Sequence, residues 1–219
     1  MSHPAWNIVK SFYCINLEQN TKRWENCITQ FIFAGIDYVE QIKTIESPEN
    51  RYISFNHAHY DTIKRGYETG EPFCIFEDDI IFDRDWKRLE EASTQLPEDW
   101  DILFIGANIV GVDTTDWQMP TKVSSNLARL YNAWQTHSII YSNKGAKWIL
   151  DNFDPDKFPV YDEWLRMGYE PEHFSAMRNK NVYCTIPLIC YQRPGYSDVW
   201  RTETEYGCHK PGNKYLLNL

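Results

Sequence analysis

The sequence predicts an α/β fold in which a central sheet is flanked by helices. Apolar runs typical of buried strands alternate with amphipathic helical segments over most of the first half of the chain. The chain has 219 residues and is 42% hydrophobic, which is enough to bury one sizeable core. We therefore expect residues 1–219 to form a single domain whose ligands bind at the carboxyl ends of the strands.

The first half of the chain is predicted to alternate between strands and helices. A short apolar strand is followed by polar residues that can cap a helix, and Trp24, Ile28 and Phe31 then recur at helical spacing. A partly alternating run predicts a second strand, after which come a further helix and a buried strand. The predicted elements are, in order, 12–17, 24–35, 37–45, 54–66 and 73–76.

The second half has weaker periodicity. An amphipathic helix is predicted to begin near Asp85, and residues 107–126 carry so little periodicity that we expect a long loop there. Asn143 is the expected cap of a later helix. The remaining predicted elements are strands at 100–106 and 138–142, a helix at 146–150 and a last strand at 183–191.

Three consecutive carboxylates, Glu77, Asp78 and Asp79, follow the predicted strand at 73–76. Neighbouring like charges are costly to remove from water together, so such a cluster is typical of a site that holds a hard divalent cation. The alternative is a solvated turn after a strand, which is the common place for acidic residues. The apolar residues on both sides of the triplet weaken this alternative without removing it, because a solvated turn needs no apolar flanks.

Composition limits the classes of function. The net charge of −9 and the pI near 5.2 argue against a protein whose whole surface binds nucleic acid. Nine Trp, fourteen Tyr and eleven Phe fit either a protein that stacks aromatic rings on sugars or bases, or a ring-rich core.

The N-terminus lacks the features of a signal peptide, and no apolar segment approaches about 18 residues. We therefore expect a cytoplasmic protein, from a bacterium or from a virus or phage in its host, without a membrane anchor. The six cysteines include no Cys-x-x-Cys pair, and Cys14, Cys74, Cys184 and Cys190 lie in apolar runs, so we expect reduced, structural thiols.

Several short motifs occur in an order that resembles glycosyltransferase family 25, which includes lipooligosaccharide and procollagen galactosyltransferases. They cover most of the chain from about residue 10 to residue 200. The matching stretches are Cys14–Leu17 with Arg23 and Trp24, Ile75–Ile80, Trp100–Gly106, Ser138–Ser142 with Gly145 and Ala146, Pro159–Leu165, and Ser197 with Asp198.

The resemblance implies a GT-A fold, which is a Rossmann-like mixed sheet flanked by helices, with a nucleotide-sugar half at about 10–106 and an acceptor half at about 107–219. It also implies a UDP-sugar donor and a divalent cation, Mn²⁺ or Mg²⁺, held by the acidic motif. Two positions depart from the family pattern. Its Ser-His pair is matched by either Asn56-His57 or Ala58-His59, and its Pro-Val-Asp is interrupted by Tyr161, which leaves both Asp162 and Glu163 eligible as the acid.

The residue types around the triplet suit sugar transfer from a nucleotide diphosphate. A cation held by Asp79, with help from Glu77 or Asp78, would neutralise the departing phosphates. Asp78 is our candidate for the ribose, and Asn16 and Leu17, at the end of the first strand, are candidate nucleotide contacts. Arg23 is a candidate for a phosphate or the uracil, with a surface arginine as the alternative.

Inverting transfer needs a carboxylate that takes the proton from the acceptor hydroxyl. Asp162 suits this role, with Glu163 as the second candidate, while the alternative for Asp162 is a helix N-cap. His209 is a candidate third metal ligand and His137 a weaker one, because lone histidines are more often packed or solvated than ligating.

The predicted function is therefore metal-dependent transfer from a UDP-sugar to a hydroxyl group, with inversion. The acceptor is a saccharide, a protein hydroxyl or a hydroxymethylated DNA base, and the oligomeric state stays open. A metal-dependent nuclease or phosphoesterase is the second hypothesis, with Asp101 as its nearest additional acid, and a non-catalytic sugar-binding module is the third. If the acceptor is DNA, a groove that binds its phosphates would have to be formed by basic residues that are scattered along the sequence, namely Lys122, Arg129, Arg178, Lys180, Lys210 and Lys214.

Overall fold

Helices cover both faces of an eight-stranded mixed sheet. The computed structural model describes residues 2–47, 49–109, 119–169 and 176–204. Its strands are β1 (Ser11–Leu17), β2 (Glu40–Thr44), β3 (Phe73–Glu77), β4 (Ile80–Phe82), β5 (Ile102–Asn108), β6 (Thr121–Lys122), β7 (Leu127–Arg129), β8 (Trp134–Tyr141), β9 (Val182–Thr185), β10 (Cys190–Gln192), β11 (Gly195–Ser197) and β12 (Thr202–Thr204). Its helices are α1 (Thr21–Phe33), α2 (Arg51–Tyr67), α3 (Leu89–Thr94), α4 (Asn143–Asn152) and α5 (Tyr161–Met167).

The sheet brings the ends of three parallel strands together. Its strand order is β2-β1-β3-β8-β5-β9-β7-β6, in which β1 pairs in parallel with β2 and β3, and β3 pairs antiparallel with β8. The register places Leu17 opposite Thr44 and Ile15 opposite Glu77. The carboxyl ends of β1, β2 and β3 therefore form one edge of the sheet, which is where ligands of such sheets bind.

Strand β3 is buried on both faces. Phe73 and Ile75 belong to the apolar cluster that includes residues of α2, α4 and α5, while Cys74 and Phe76 belong to the cluster that includes residues of α1 and α3. A strand covered on both faces has no solvent side, and this explains why its sequence is a continuous apolar run. The described residues form one α/β domain, as predicted.

Most predicted elements are present, with changed boundaries in the second half. The helix predicted near Asp85 is a 3-10 turn at Trp86–Arg88 followed by α3. The predicted loop at 107–126 is wrong at both ends, because 107–108 continue β5 and 121–122 form β6, while 110–118 lie outside the described residues.

The prediction of one strand over 183–191 is wrong. The chain leaves the main sheet at the end of β9 and enters a separate two-stranded sheet, in which β10 pairs antiparallel with β4. Pro187 lies between the two strands, and a proline has no N–H with which to continue a ladder. This switch carries β10 next to the acidic triplet.

Asn143 is not the cap of α4. Ser142 holds the cap position, and its Oγ accepts a hydrogen bond from Gly145 N at 3.0 Å. The side chain of Asn143 instead donates to the carbonyl of Tyr67 at 2.9 Å, which ties α4 to the end of α2.

Two further sequence expectations concern the cellular setting. In the described ranges no helix is both long enough and apolar enough to cross a membrane. Cys14, Cys27, Cys74, Cys184 and Cys190 are buried free thiols, and Cys208 lies outside the described residues.

Gly145 is expected to be intolerant of any side chain. A Cβ at this position would lie 2.1 Å from the carbonyl oxygen of Asp101, which is backbone and cannot move aside alone. Gly145→Ala should therefore reduce the free energy of unfolding by about 2–3 kcal/mol. Urea unfolding measures this free energy. The control is Lys147→Ala, on the exposed face of the same helix, which should reduce the free energy of unfolding by less than about 1 kcal/mol. Equal losses in the two variants would contradict the tight contact.

Candidate functional site

A cavity of about 160 Å³ opens at the edge formed by the carboxyl ends of β1, β2 and β3. Leu17, Thr44 and Glu77 line it from the three strand ends. Helix α2, the start of α5 and the segment 197–200 supply further walls. The cavity therefore lies where the sequence predicts ligand binding.

The acidic triplet forms the polar wall of this cavity. Glu77 is the last residue of β3, and Asp78 and Asp79 make the turn into β4. Both aspartates are only 8% exposed, so the alternative of a solvated turn is wrong. The pairing of β4 with β10 holds the far side of the turn in place.

Arg23 of α1 bridges carboxylates from two distant parts of the chain. Its Nε lies 3.0 Å from Asp78 Oδ1, its Nη2 3.3 Å from Asp79 Oδ2 and its Nη1 2.7 Å from Asp198 Oδ2. Asp198 lies between β11 and β12, a hairpin that the sequence pattern does not predict. The alternative of an uninvolved surface arginine is wrong.

Asn16, on β1, orients the side chain of Asp78 through a hydrogen bond. Its Nδ2 donates to Asp78 Oδ2 at 2.6 Å, and its Oδ1 accepts from Gln41 at 2.8 Å. The side chain is 1% exposed, whereas the neighbouring Leu17 lines the cavity. Direct contact of either residue with a nucleotide stays a prediction.

Burial makes the charges of the two aspartates costly. It raises the pKa of Asp78 to about 6, although Arg23 and Asn16 act in the opposite direction. Burial and the negative charge of Glu77 raise the pKa of Asp79 to about 8. A cation beside these two carboxyl groups would stabilise their ionised forms and so lower both pKa values.

The donor set fits a hard divalent cation that is shared with phosphates. Asp79 Oδ1 is buried and has no hydrogen-bond partner among the described residues, so it is available as a ligand. Within that same part of the chain no three His, Cys, Asp or Glu side chains are placed to hold a metal ion together. Mg²⁺ in particular usually takes only one or two carboxylates, with water and substrate phosphates as the other ligands.

Of the two histidines considered as metal ligands, only one lies in the described residues, and it does not line the cavity. His209 lies outside the described residues. His137 is fully buried in β8, and its Nε2 lies where a Cβ on Gly106 would be 2.3 Å away, so the ring packs closely against that glycine. Burial lowers the pKa of His137 to about 4, which keeps the ring neutral at pH 7.

His59, not His57, enters the cavity. Its ring stacks on Tyr161 at 5.0 Å between centroids, and its Nε2 lies 3.3 Å from Glu77 Oε1. That same oxygen accepts from Thr136 Oγ1 at 2.8 Å. Burial would raise the pKa of Glu77, but the contacts with His59 and Thr136 bring it below its usual value. His57 instead pairs with Asp156 at the surface.

Asn56 connects α2 to the segment before α5. Its Nδ2 donates to the carbonyls of Pro155, Lys157 and Pro159, and its Oδ1 accepts from Tyr161 N at 2.8 Å. This places the start of α5 across the cavity from β3.

Asp162 lies in the first turn of α5 and lines the cavity. The cap residue of this helix is Val160, so the N-cap alternative for Asp162 is wrong. Its Oδ1 accepts from Glu163 N at 2.9 Å, and burial, with the negative charge of Glu77, raises its pKa to about 6. Glu163 is not among the cavity-lining residues of the described chain, so the geometry favours Asp162 of the two candidates.

Other residues at the site are not predictable from local pattern. Thr136 and Gln192 are brought to the triplet by β8 and β10, and Gln192 Nε2 donates to Asp79 Oδ2 at 3.1 Å. Trp200 is half-exposed at the mouth of the cavity, with its ring 6.0 Å from that of Tyr52. The abundance of aromatic residues is the only sequence signal that pointed to such a ring.

Those residues of the second hypothesis and of the DNA option that the structure describes do not line the cavity. Asp101 precedes β5, which runs parallel to β3, so it lies at the opposite end of the sheet from Glu77 and pairs with Lys144 at 3.0 Å. Lys122 and Arg129 lie on β6 and β7, at the far edge of the sheet from β2. Lys210 and Lys214 lie outside the described residues.

No protein-family model matches this chain, and no curated protein matches it at a significant level. The resemblance to glycosyltransferase family 25 therefore stays a prediction based on short motifs.

Proposed function

We propose that the protein is a metal-dependent glycosyltransferase of the GT-A type that moves a sugar from a UDP-sugar to a hydroxyl group with inversion. The observation that carries the proposal is one cavity with a buried acidic turn on one wall and Asp162 on another. These are the two kinds of carboxylate that the reaction needs, one near the departing diphosphate and one near the acceptor.

The donor is proposed to lie along the carboxyl ends of the parallel strands. Asp79, with Asp78 or Glu77, would hold Mn²⁺ or Mg²⁺, which as a Lewis acid neutralises charge on the departing diphosphate. Asp78 is assigned to the ribose, in the orientation set by Asn16. Ile15, Leu17 and Ile45 give the nucleoside end of the cavity an apolar wall, and Trp200 stands at its mouth.

Asp162 is proposed as the general base. A carboxylate with a pKa near 6 is still mostly ionised at neutral pH, and it is a stronger base than an ordinary aspartate. It would take the proton from the acceptor hydroxyl as that oxygen attacks the sugar. The hairpin of β11 and β12 narrows the entrance through Asp198 and Trp200, which helps to keep water from the reacting carbon.

A cytoplasmic location is proposed with the function. Five buried free thiols suit a reducing compartment. The nature of the hydroxyl acceptor stays open among a saccharide, a protein and a hydroxymethylated base. The geometry gives no support to the two-metal nuclease, because Asp101 lies at the other end of the sheet.

A panel of UDP-sugars tests the proposal. With Mn²⁺ and a donor at about 100 times its Kd, the melting temperature should rise by about 5–10 °C, and the same donor should be hydrolysed slowly to UDP. EDTA should remove both effects. Absence of any shift and any hydrolysis across the panel would contradict the proposal, and cleavage of an oligonucleotide in the same buffer would favour a nuclease.

A further inference from the structure

Arg23 contacts two of the four carboxylate oxygens that Asp78 and Asp79 could offer to a cation. Asp78 Oδ1 is paired with Arg23 Nε, and Asp78 Oδ2 accepts from Asn16. Asp79 Oδ2 lies near Arg23 Nη2 and also accepts from Gln192. Of these four oxygens, only Asp79 Oδ1 has no hydrogen-bond partner among the described residues.

A divalent cation and this guanidinium therefore compete. A hard cation that takes Asp78 Oδ1 or Asp79 Oδ2 in addition to Asp79 Oδ1 competes with an Arg23 contact, and two positive groups so close together repel each other. Each of the three guanidinium nitrogens of Arg23 contacts a different carboxylate, so the side chain is not displaced without a new partner.

The donor diphosphate is such a partner. The Arg23 side chain lines the cavity and is 28% exposed, so it is not locked in the core. Its planar fork matches two phosphate oxygens as well as it matches a carboxylate. A shift of Arg23 from Asp78 and Asp79 to the diphosphate would free carboxylate oxygens at the moment when phosphate oxygens also become available to the cation.

We propose that Arg23 acts as an exchangeable counter-ion of Asp78 and Asp79, which keeps the divalent cation weakly bound until a nucleoside diphosphate takes the guanidinium away. This rests on the proposed function and deepens it. The cation and the nucleotide then bind cooperatively, and each tightens the other by the same factor. Asp198 keeps Nη1 near the entrance and so sets the position from which the side chain moves.

The proposal is tested by Mn²⁺ binding, measured by electron paramagnetic resonance with and without UDP. Without UDP, Arg23→Gln should bind Mn²⁺ at least about tenfold more tightly than the wild type, and UDP should tighten Mn²⁺ binding less in the variant. If Arg23 only organises the carboxylates, its loss leaves Mn²⁺ affinity equal or weaker, which would overturn the proposal.

The control is Arg65→Gln. It makes the same charge change on the exposed surface of α2, where Arg65 pairs with Glu40. Its Mn²⁺ affinity should equal that of the wild type. If Arg65→Gln binds Mn²⁺ as tightly as Arg23→Gln does, the tightening is a general effect of net charge and the proposal is overturned. If Arg23→Gln does not fold, Arg23→Lys carries the test, because a single ammonium cannot bridge three carboxylates. A tightening of at least about threefold then supports the proposal and no tightening overturns it.

The possible results distinguish a failure of this inference from a failure of the proposed transferase function on which it rests. If the wild type binds Mn²⁺ together with UDP but Arg23→Gln binds it no more tightly, the exchange is overturned and the transferase proposal stands. If the wild type binds no Mn²⁺ even with UDP, the transferase proposal itself fails.

Discussion

Asp79→Asn is expected to abolish the stabilisation by Mn²⁺ and UDP and to reduce donor hydrolysis at least about 100-fold. The variant cannot supply an anionic ligand at Asp79, the only carboxylate of the described residues that has a buried oxygen without a hydrogen-bond partner. Its amide oxygen still accepts hydrogen bonds, so the contacts with Gln192 and Arg23 need not be lost. The metal-free variant should melt no lower than the wild type, because burial raises the pKa of Asp79 to about 8 and so leaves this side chain mostly uncharged at pH 7 without metal.

The measurement is a melting curve with and without Mn²⁺ and UDP, together with the rate of UDP release. Asp151→Asn is the matched control, since that aspartate is exposed on α4 and pairs only with Lys147 in the described structure. It should behave as the wild type in both measurements. If Mn²⁺ and UDP stabilise Asp79→Asn as much as the wild type, the assignment of the metal site to the acidic triplet is contradicted.

Asp162→Asn is expected to lower kcat about 10²–10⁴-fold while Mn²⁺ and UDP bind as in the wild type. The amide cannot take a proton from an acceptor hydroxyl, yet it keeps the size of the side chain and its hydrogen bond with Glu163 N. Loss confined to kcat is the signature of a group that acts in the chemical step.

Glu163→Gln is the matched control for Asp162, because it changes the next residue in the same helical turn. Its kcat should stay within about threefold of the wild type. A large loss in Glu163→Gln with little loss in Asp162→Asn would reverse the two roles. Donor turnover with a responsive acceptor, followed over substrate concentration, distinguishes kcat from KM.

The acidic turn could be predicted from the sequence because its signal is local. A buried strand covered on both faces must be continuously apolar, so the position where Phe76 gives way to three acids marks the strand end directly. The alternation of strands and helices around it is also a local signal, and it predicted the α/β sheet.

The charge partners of that turn could not be predicted, because they come from far along the chain. Arg23 and Asp198 are separated by 175 residues, and Gln192 and Asp79 by 113. Their meeting depends on the pairing of β10 with β4 and on the hairpin of β11 and β12. Each of these four strands has only three residues, which is too short for a sequence period to identify the pairing. Sequence spacing therefore identified the carboxylates but left open what balances their charge.

Packing decides two further points: the cap of α4, which was predicted at Asn143, and the choice between His57 and His59. Ser142 and Asn143 are both favoured caps, and the close fit of Ser142 against Asp101 selects the serine. His57 and His59 lie on the same helix, and the register of α2 turns only His59 toward Glu77.

The most direct test of the central claim is a crystal structure with Mn²⁺ and UDP, with the cation located by its anomalous scattering. We expect the Mn²⁺ to be held by Asp79 at the acidic turn, next to the diphosphate, with the uridine against the ends of β1 and β2. Mn²⁺ and UDP bound together at another surface, with the acidic turn unchanged, would contradict the account.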